Sequence, residues 1–230
     1  MKSKITRYLD KKNNQFELSY LEIRKAVGVL GMALPVVLSI GTLVLGRCPY
    51  LKDSISDYFY TLMGSALVGI LCGVSLFLFS YRGFDRWDRI TSNIAAVCAL
   101  GVAFFPMNVD VNCASCNLCN LFCRDVQPWR GVVHFTSAGI LFFTLACMSL
   151  FLFTKTDKSK RPTRKKLQRN RVYITCGVIM LLAMMVVALL KIPCIKQAFP
   201  IAHPTFWAES VMLWFFGISW LVKGETILKD

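Results

Sequence analysis

Six hydrophobic segments separated by short polar stretches constrain this chain more than any other feature. Each segment approaches the ~20 apolar residues that a helix needs to cross a bilayer. We therefore predict an all-α, polytopic membrane protein with one transmembrane domain over 1–230. Short loops favour an up-and-down bundle of six helices. The six segments are 26–45, 58–79, 90–105, 132–153, 172–190 and 206–222.

The lysines and arginines between the segments predict the orientation. If the N-terminus is cytoplasmic, the cytoplasmic flanks hold 21 of the 27 basic residues and the outer flanks hold 6. The positive-inside rule then places both termini in the cytoplasm. The most basic flanks, 1–25 and 154–171, should attract anionic lipid headgroups at the cytoplasmic face, by about 1 kcal/mol per charge. Nucleic-acid binding is not expected, because no aromatic platform interleaves with these charges.

Six of the ten cysteines fall on the predicted outer side. An even number of thiols facing an oxidising compartment predicts disulfides that tie the outer loops together. Two alternatives stay open for the CxxC-spaced run 113–123: a zinc or iron–sulfur site, and a redox-active thiol pair. The six outer cysteines are Cys48, Cys113, Cys116, Cys119, Cys123 and Cys194.

Ionisable side chains are also concentrated at the predicted outer face, where the bilayer makes them costly. We expect a ligand pocket there, and we consider a zinc site formed by two imidazoles and a carboxylate as another use of the same groups. Each residue also has an ordinary structural role, such as helix capping by Asp57 or a helix-dipole interaction of Glu209. The pocket candidates are Ser56, Asp57, Tyr58, Tyr60, His134 and Glu209; the metal candidates are His134 and His203 with Asp110 or Glu209.

Several sequence stretches resemble a family of bacterial integral membrane proteins of unknown function. The resemblance covers nearly the whole chain and implies a six-helix, multi-pass protein of the inner membrane, with no assigned activity. The cysteine-rich run 113–123 is not part of that family pattern. The resembling stretches are 21–35, 53–61, 80–88, 99–106 and 216–225.

A more distant similarity is to membrane hydrolases of the ceramidase and adiponectin-receptor type. Those proteins place a serine, an aspartate and three histidines around zinc in a seven-helix bundle. This chain has only two histidines, His134 and His203, and neither belongs to a paired-histidine motif.

The sequence contains no P-loop, dinucleotide fingerprint, nucleophile elbow or HExxH motif. We therefore predict a membrane protein that binds a lipid or small apolar ligand in an outer-leaflet pocket, as a sensor, carrier or accessory subunit. A metal-dependent lipid hydrolase and a membrane thiol–disulfide oxidoreductase are the alternative hypotheses.

Overall fold

A computed structural model describes residues 4–81, 83, 85–107, 121, 127–156, 163–198 and 201–228, with side chains from residue 20 onward except 196 and 198. The all-α prediction is confirmed, since these ranges contain helices and connecting segments and no strand. The α-helices are α1 (Lys4–Val44), α2 (Gly64–Ser80), α3 (Arg86–Phe104), α4 (Pro128–Cys147), α5 (Arg164–Leu189), α6 (Pro193–Ala198) and α7 (Pro204–Lys223).

The six predicted segments correspond to α1–α5 and α7, but several boundaries differ. The segment at 58–79 was placed too early, because Ile55–Tyr60 form a separate 3-10 helix and α2 begins only at Gly64. The two helices are separated at Thr61, whose backbone is extended. The fourth helix continues beyond Cys147 as one π-helical turn, Met148–Leu152.

The six long helices pack as a closed ring. Each of α1 to α4 contacts the next helix in the chain, α5 packs against α7, and α7 returns to α1. Residues from the C-terminal halves of α1, α3 and α5 meet residues from the N-terminal halves of α2 and α7 and from the first half and middle of α4 around one cavity. Successive helices therefore alternate in direction, and we call the end where these halves meet the site end.

Two glycines allow α1 and α7 to approach closely. A Cβ atom on Gly217 would lie 2.6 Å from the Gly28 carbonyl oxygen, and one on Gly28 would lie 2.9 Å from the Gly217 carbonyl oxygen. Both obstacles are backbone atoms, which cannot move without shifting a whole helix. The α1–α7 contact, which closes the ring, therefore depends on small residues, as is common between membrane helices.

Aromatic side chains close the opposite end of the bundle. Trp220 is completely buried, with its ring centroid 5.1 Å from that of Tyr81 and 5.4 Å from that of Phe153. Edge-on contacts at this spacing are favourable beyond the area they bury. The cavity lies at the other end of the bundle, the site end.

Four of the described helices are long and apolar enough to cross a membrane. They are Tyr20–Val44, Pro128–Leu152, Arg164–Leu189 and Pro204–Lys223, and Gly64–Ser80 is a shorter apolar helix. The outward surface carries many large apolar side chains, which a water-soluble protein rarely exposes in such numbers. Examples on different helices are Ile40, Leu76, Val97, Phe151 and Met185.

Candidate functional site

The 3-10 helix at the site end is held by a reciprocal cap. The Ser54 hydroxyl oxygen accepts a hydrogen bond from the Ser56 backbone N–H at 3.2 Å. The Asp57 carboxylate accepts one from the Ser54 backbone N–H at 3.0 Å. This Ser-x-x-Asp arrangement satisfies N–H groups that a helix start leaves unpaired, and it fixes the backbone around Ser56.

Glu209 joins this cap to the first half of α7. Its carboxylate oxygens lie 2.9 and 2.8 Å from the Ser54 Oγ, which donates to them, and the Ile55 backbone N–H donates at 2.7 Å. Hydrogen bonds to a carboxylate are among the stronger ones in proteins. Through Ser54 and Ile55, Glu209 therefore holds the segment that precedes α2 against α7.

His134, on the first half of α4, connects the 3-10 helix to the end of α3. Its Nε2 lies 2.8 Å from the Ser56 Oγ, and its Nδ1 lies 2.8 Å from the Phe105 carbonyl oxygen. A carbonyl oxygen only accepts, so Nδ1 carries the proton of the neutral ring and Nε2 is an acceptor. The Ser56 hydroxyl therefore donates a hydrogen bond to the His134 Nε2. The His134 side chain is buried, with 3% of its surface exposed.

These polar groups border an apolar cavity of about 250 Å³. Its walls come from α1, α2, α3, α4, α5 and α7, and include Leu34, Leu67, Val102, Phe142, Val187 and Leu213. Ser56, His134 and Glu209 lie on the same lining as Lys191, which follows the end of α5. The Lys191 ammonium also lies 4.0 Å from the ring centroid of Phe135. An apolar chamber with a few convergent polar groups is the usual form of a small-molecule site.

The structure therefore brings together three of the six predicted pocket residues. Ser56, His134 and Glu209 line the cavity, whereas Asp57, Tyr58 and Tyr60 are not among its lining residues. Tyr58 is buried against Phe206, with ring centroids 6.1 Å apart. The Tyr60 hydroxyl donates to the Met107 carbonyl oxygen at 2.7 Å. Burial raises the pKa of Tyr60 to about 12.

Asp57 serves as a capping residue and does not line the cavity. Burial raises the pKa of its carboxyl to about 6, although the hydrogen bond from the Ser54 N–H opposes this shift. The nearby Asp53 carboxylate raises the pKa further, and Lys52 lowers it. Asp57 is therefore a carboxyl group that gains its charge only near neutral pH.

The predicted metal ligands are separated in the described part of the chain. The His203 Nδ1 lies 2.8 Å from the Asp53 Oδ1, in an exposed contact. His134 instead contacts Ser56 and the Phe105 carbonyl. Asp110 lies outside the described residues. Within the described ranges, no group of three or more His, Cys, Asp or Glu side chains is arranged to hold a metal ion.

The cysteine prediction is wrong for Cys194, which is a free and exposed thiol rather than half of a disulfide. Cys48 is buried and disulfide-bonded. Its partner is none of the other described cysteines, because Cys72, Cys98, Cys147, Cys176 and Cys194 are all free. The remaining outer cysteines, Cys113, Cys116, Cys119 and Cys123, lie outside the described residues.

Sequence reasoning missed three parts of the site: the anchoring role of Ser54, the Phe105 carbonyl and Lys191. The Ser54-x-x-Asp57 spacing is a capping-box signature and is recognisable in the sequence. A backbone carbonyl carries no sequence signal. Lys191 appears in the sequence only as one of the few basic residues of the outer flanks.

No protein-family model, no curated protein and no solved structure matches this chain. The site is therefore interpreted from its own geometry.

Proposed function

We infer that this protein binds the acyl chain of a lipid or another small amphiphile in the cavity at the site end. The cavity itself is the observation that carries this proposal. Its walls are apolar, and its polar groups are confined to Ser56, His134, Glu209 and Lys191 among the lining residues. An acyl chain would occupy the apolar part, while its polar head would meet these side chains.

The size of the cavity limits which ligands fit. At about 250 Å³, it lies just below the ~300–1,000 Å³ common for small-molecule sites. A short or medium acyl chain, or the end of a longer one, is the fitting occupant. Burial of each methylene group would contribute about 0.8 kcal/mol.

The proposed setting is the inner membrane, crossed six times, with both termini cytoplasmic. The distribution of basic residues supports this orientation, and exposed Ile94, Val97 and Phe104 on α3 support contact with lipid by that helix as well. Exposed Arg164, Lys165 and Arg171 at the start of α5 would face anionic headgroups on the cytoplasmic side. The site end would then open toward the outer leaflet.

Two glycines provide a matched test of ligand binding. Gly139 on α4 lines the cavity, whereas Gly69 on α2 lies outside its lining, and a Cβ atom at either position meets no atom within 4 Å. Gly139→Trp should fill the cavity, and Gly69→Trp makes the same change outside it. The measurement is the affinity of the detergent-purified protein for a fluorescent medium-chain fatty acid.

We expect saturable binding by the wild-type protein and by Gly69→Trp. Gly139→Trp should bind at least about tenfold more weakly, which corresponds to a loss of ~1.4 kcal/mol in binding free energy. If the two variants bound the fatty acid with equal affinity, the ligand would bind outside this cavity. Absence of saturable binding by the wild-type protein would refute the proposed function.

A further inference from the structure

We propose that Ser56 and His134 form a nucleophile–base pair that hydrolyses a carboxylic ester whose acyl chain lies in the cavity. This inference rests on the proposed function, because it uses the same cavity to hold the acyl chain. It adds a reaction and assigns a catalytic role to each side chain. Ser56 is the nucleophile and His134 is the general base.

The hydrogen bonds of His134 leave Nε2 free to accept a proton from Ser56. The Phe105 carbonyl oxygen requires the proton of neutral His134 on Nδ1, so the lone pair of Nε2 faces the Ser56 hydroxyl at 2.8 Å. A serine is activated as a nucleophile when an adjacent base accepts its proton and a third group orients that base. Here a backbone carbonyl performs the orienting role that a carboxylate performs in many serine hydrolases.

The Ser56 hydroxyl is accessible to a substrate in the cavity. Ser56 is only partly buried and lies on the cavity lining beside His134. An acyl chain lying along Leu67, Val102 and Leu213 would present its ester group to this polar border. A structural serine–histidine pair has no need of a chamber of this kind next to the hydroxyl.

Neighbouring groups supply positive charge to the Ser56–His134 pair and hold Ser56 in place. Lys191 lines the same cavity, and its positive charge would favour the negative charge that develops on the ester carbonyl oxygen. Ser56 itself is fixed through its N–H, which donates to the Ser54 Oγ, and Ser54 in turn donates to Glu209. Glu209 is therefore a positioning residue, acting through Ser54 on the backbone of the nucleophile.

The reaction proceeds in two stages. The Ser56 Oγ forms a bond to the ester carbonyl carbon as its proton passes to the His134 Nε2. The ester C–O bond then breaks, and the leaving alkoxide takes the proton from Nε2 and departs as an alcohol. The acyl group is left as an ester on Ser56.

Water completes the cycle. It gives a proton to the His134 Nε2 while its oxygen attacks the acyl carbon, and the Ser56 Oγ leaves and recovers that proton. The net change is ester plus water to carboxylic acid plus alcohol. No atom changes its oxidation state.

The test is covalent labelling of the full-length detergent-purified protein by a fluorophosphonate with a medium alkyl chain, with the modified residue located by tandem mass spectrometry. The expected result is phosphonylation of Ser56 with release of fluoride. Ser56→Ala should abolish the label, and His134→Gln should slow labelling by about a hundredfold, within the range for loss of a general base. Ser65→Ala, a change in an exposed serine at the start of α2, should label like the wild type.

Fatty-acid binding is measured on the same variants and separates the two proposals. Binding with no label on wild-type Ser56 would overturn the catalytic inference and leave the proposed function standing. Equal labelling rates in wild type and His134→Gln, with binding intact, would also overturn it. Site mapping on the wild-type protein decides the matter even if a variant fails to fold.

Discussion

The Ser54 hydroxyl and the Glu209 carboxylate, 155 residues apart in the chain, are joined by hydrogen bonds of 2.9 and 2.8 Å. This contact ties the connection between α1 and α2 to α7. Since the same connection carries Ser56 to His134, this long-range interaction contributes to positioning the polar border of the cavity. The ring closure of α7 on α1 brings the two partners within reach.

Glu209→Gln should destabilise the protein. Oε2 accepts from both the Ser54 hydroxyl and the Ile55 N–H, so an amide oxygen in its place can keep both bonds, but they lose the negative charge of the acceptor. The amide NH2 group also replaces Oε1, the second acceptor of the Ser54 hydroxyl. A hydrogen bond to a charged group contributes ~1.5–3 kcal/mol and a neutral one ~0.5–1.5 kcal/mol, so we expect a loss of about 1 kcal/mol. The measurement is the thermal unfolding midpoint in one detergent, with Glu22→Gln as the control. Glu22 is 67% exposed and pairs only with nearby Lys25 in the described contacts, so that change should stay within about 0.5 kcal/mol.

Equal midpoints for the two glutamine variants would show that the Glu209 contacts do not hold the 3-10 helix in place.

Gly217→Ala should destabilise the α1–α7 contact by about 1–3 kcal/mol, the usual cost of overpacking. The added methyl group would meet the Met32 side chain and the Gly28 carbonyl oxygen, and only the first can move easily. Gly69→Ala is the matched control, because its methyl group enters open space and alanine favours the helix by ~1 kcal/mol. Unfolding midpoints should therefore shift in opposite directions. A Gly217→Ala midpoint equal to that of the wild type would contradict the close approach.

Asp57 should make stability depend on pH in the acidic range. Burial raises the folded-state pKa of Asp57 from 3.8 to about 6, so the folded protein binds a proton more tightly than the unfolded chain. The contribution of Asp57 to stability therefore falls as pH rises from about 4 to about 6, by at most ~3 kcal/mol. Asp57→Asn keeps an acceptor for the Ser54 N–H but cannot ionise.

The measurement for Asp57 is the difference in unfolding midpoint between Asp57→Asn and wild type at several pH values. The variant should gain stability relative to wild type as pH rises through this window and level off above it. Glu22→Gln, at an exposed position, serves as the control. A difference that stays constant with pH would mean that Asp57 titrates alike in the folded and unfolded chains.

Cys194 should react with a membrane-impermeant maleimide on intact cells. It is an exposed free thiol, and the proposed topology places it outside. Peptide mass spectrometry should find the label on Cys194 and none on Cys176, which is buried. Cys194→Ser is the control for background. Labelling of Cys194 only after the membrane is permeabilised would reverse the proposed orientation.

Much of the helical framework could be predicted from the sequence. Long apolar segments predict helices through local composition alone, and α3 and α7 overlap their predicted segments closely. α5 begins at Arg164, earlier than the predicted 172, because its first two turns are basic rather than apolar. The start of α2 was harder to predict, because Tyr58, Phe59 and Tyr60 resemble the beginning of an apolar segment. In the structure they belong to a separate 3-10 helix, which the Ser54 cap and the tertiary contact with Glu209 stabilise.

The site was predicted only in part. Alternation of helix direction predicts that Ser56, His134 and Glu209 lie at one end of the bundle, and in the structure these three residues line one cavity. Which of the neighbouring side chains enter the cavity depends on helix rotation and on how the loop folds back. Tyr60 therefore turns to the Met107 carbonyl, and His203 pairs with Asp53 in an exposed contact.

The sequence alone determined that the chain is helical and apolar enough to lie in a membrane, because composition and periodicity are local properties that each segment carries by itself. Only the tertiary structure decided that the Ser56 hydroxyl contacts the His134 Nε2 at the border of a cavity, with the Phe105 carbonyl fixing the tautomer. That arrangement depends on backbone positions contributed by three separate elements. No local pattern records such positions, since they result from the packing of the whole ring of helices.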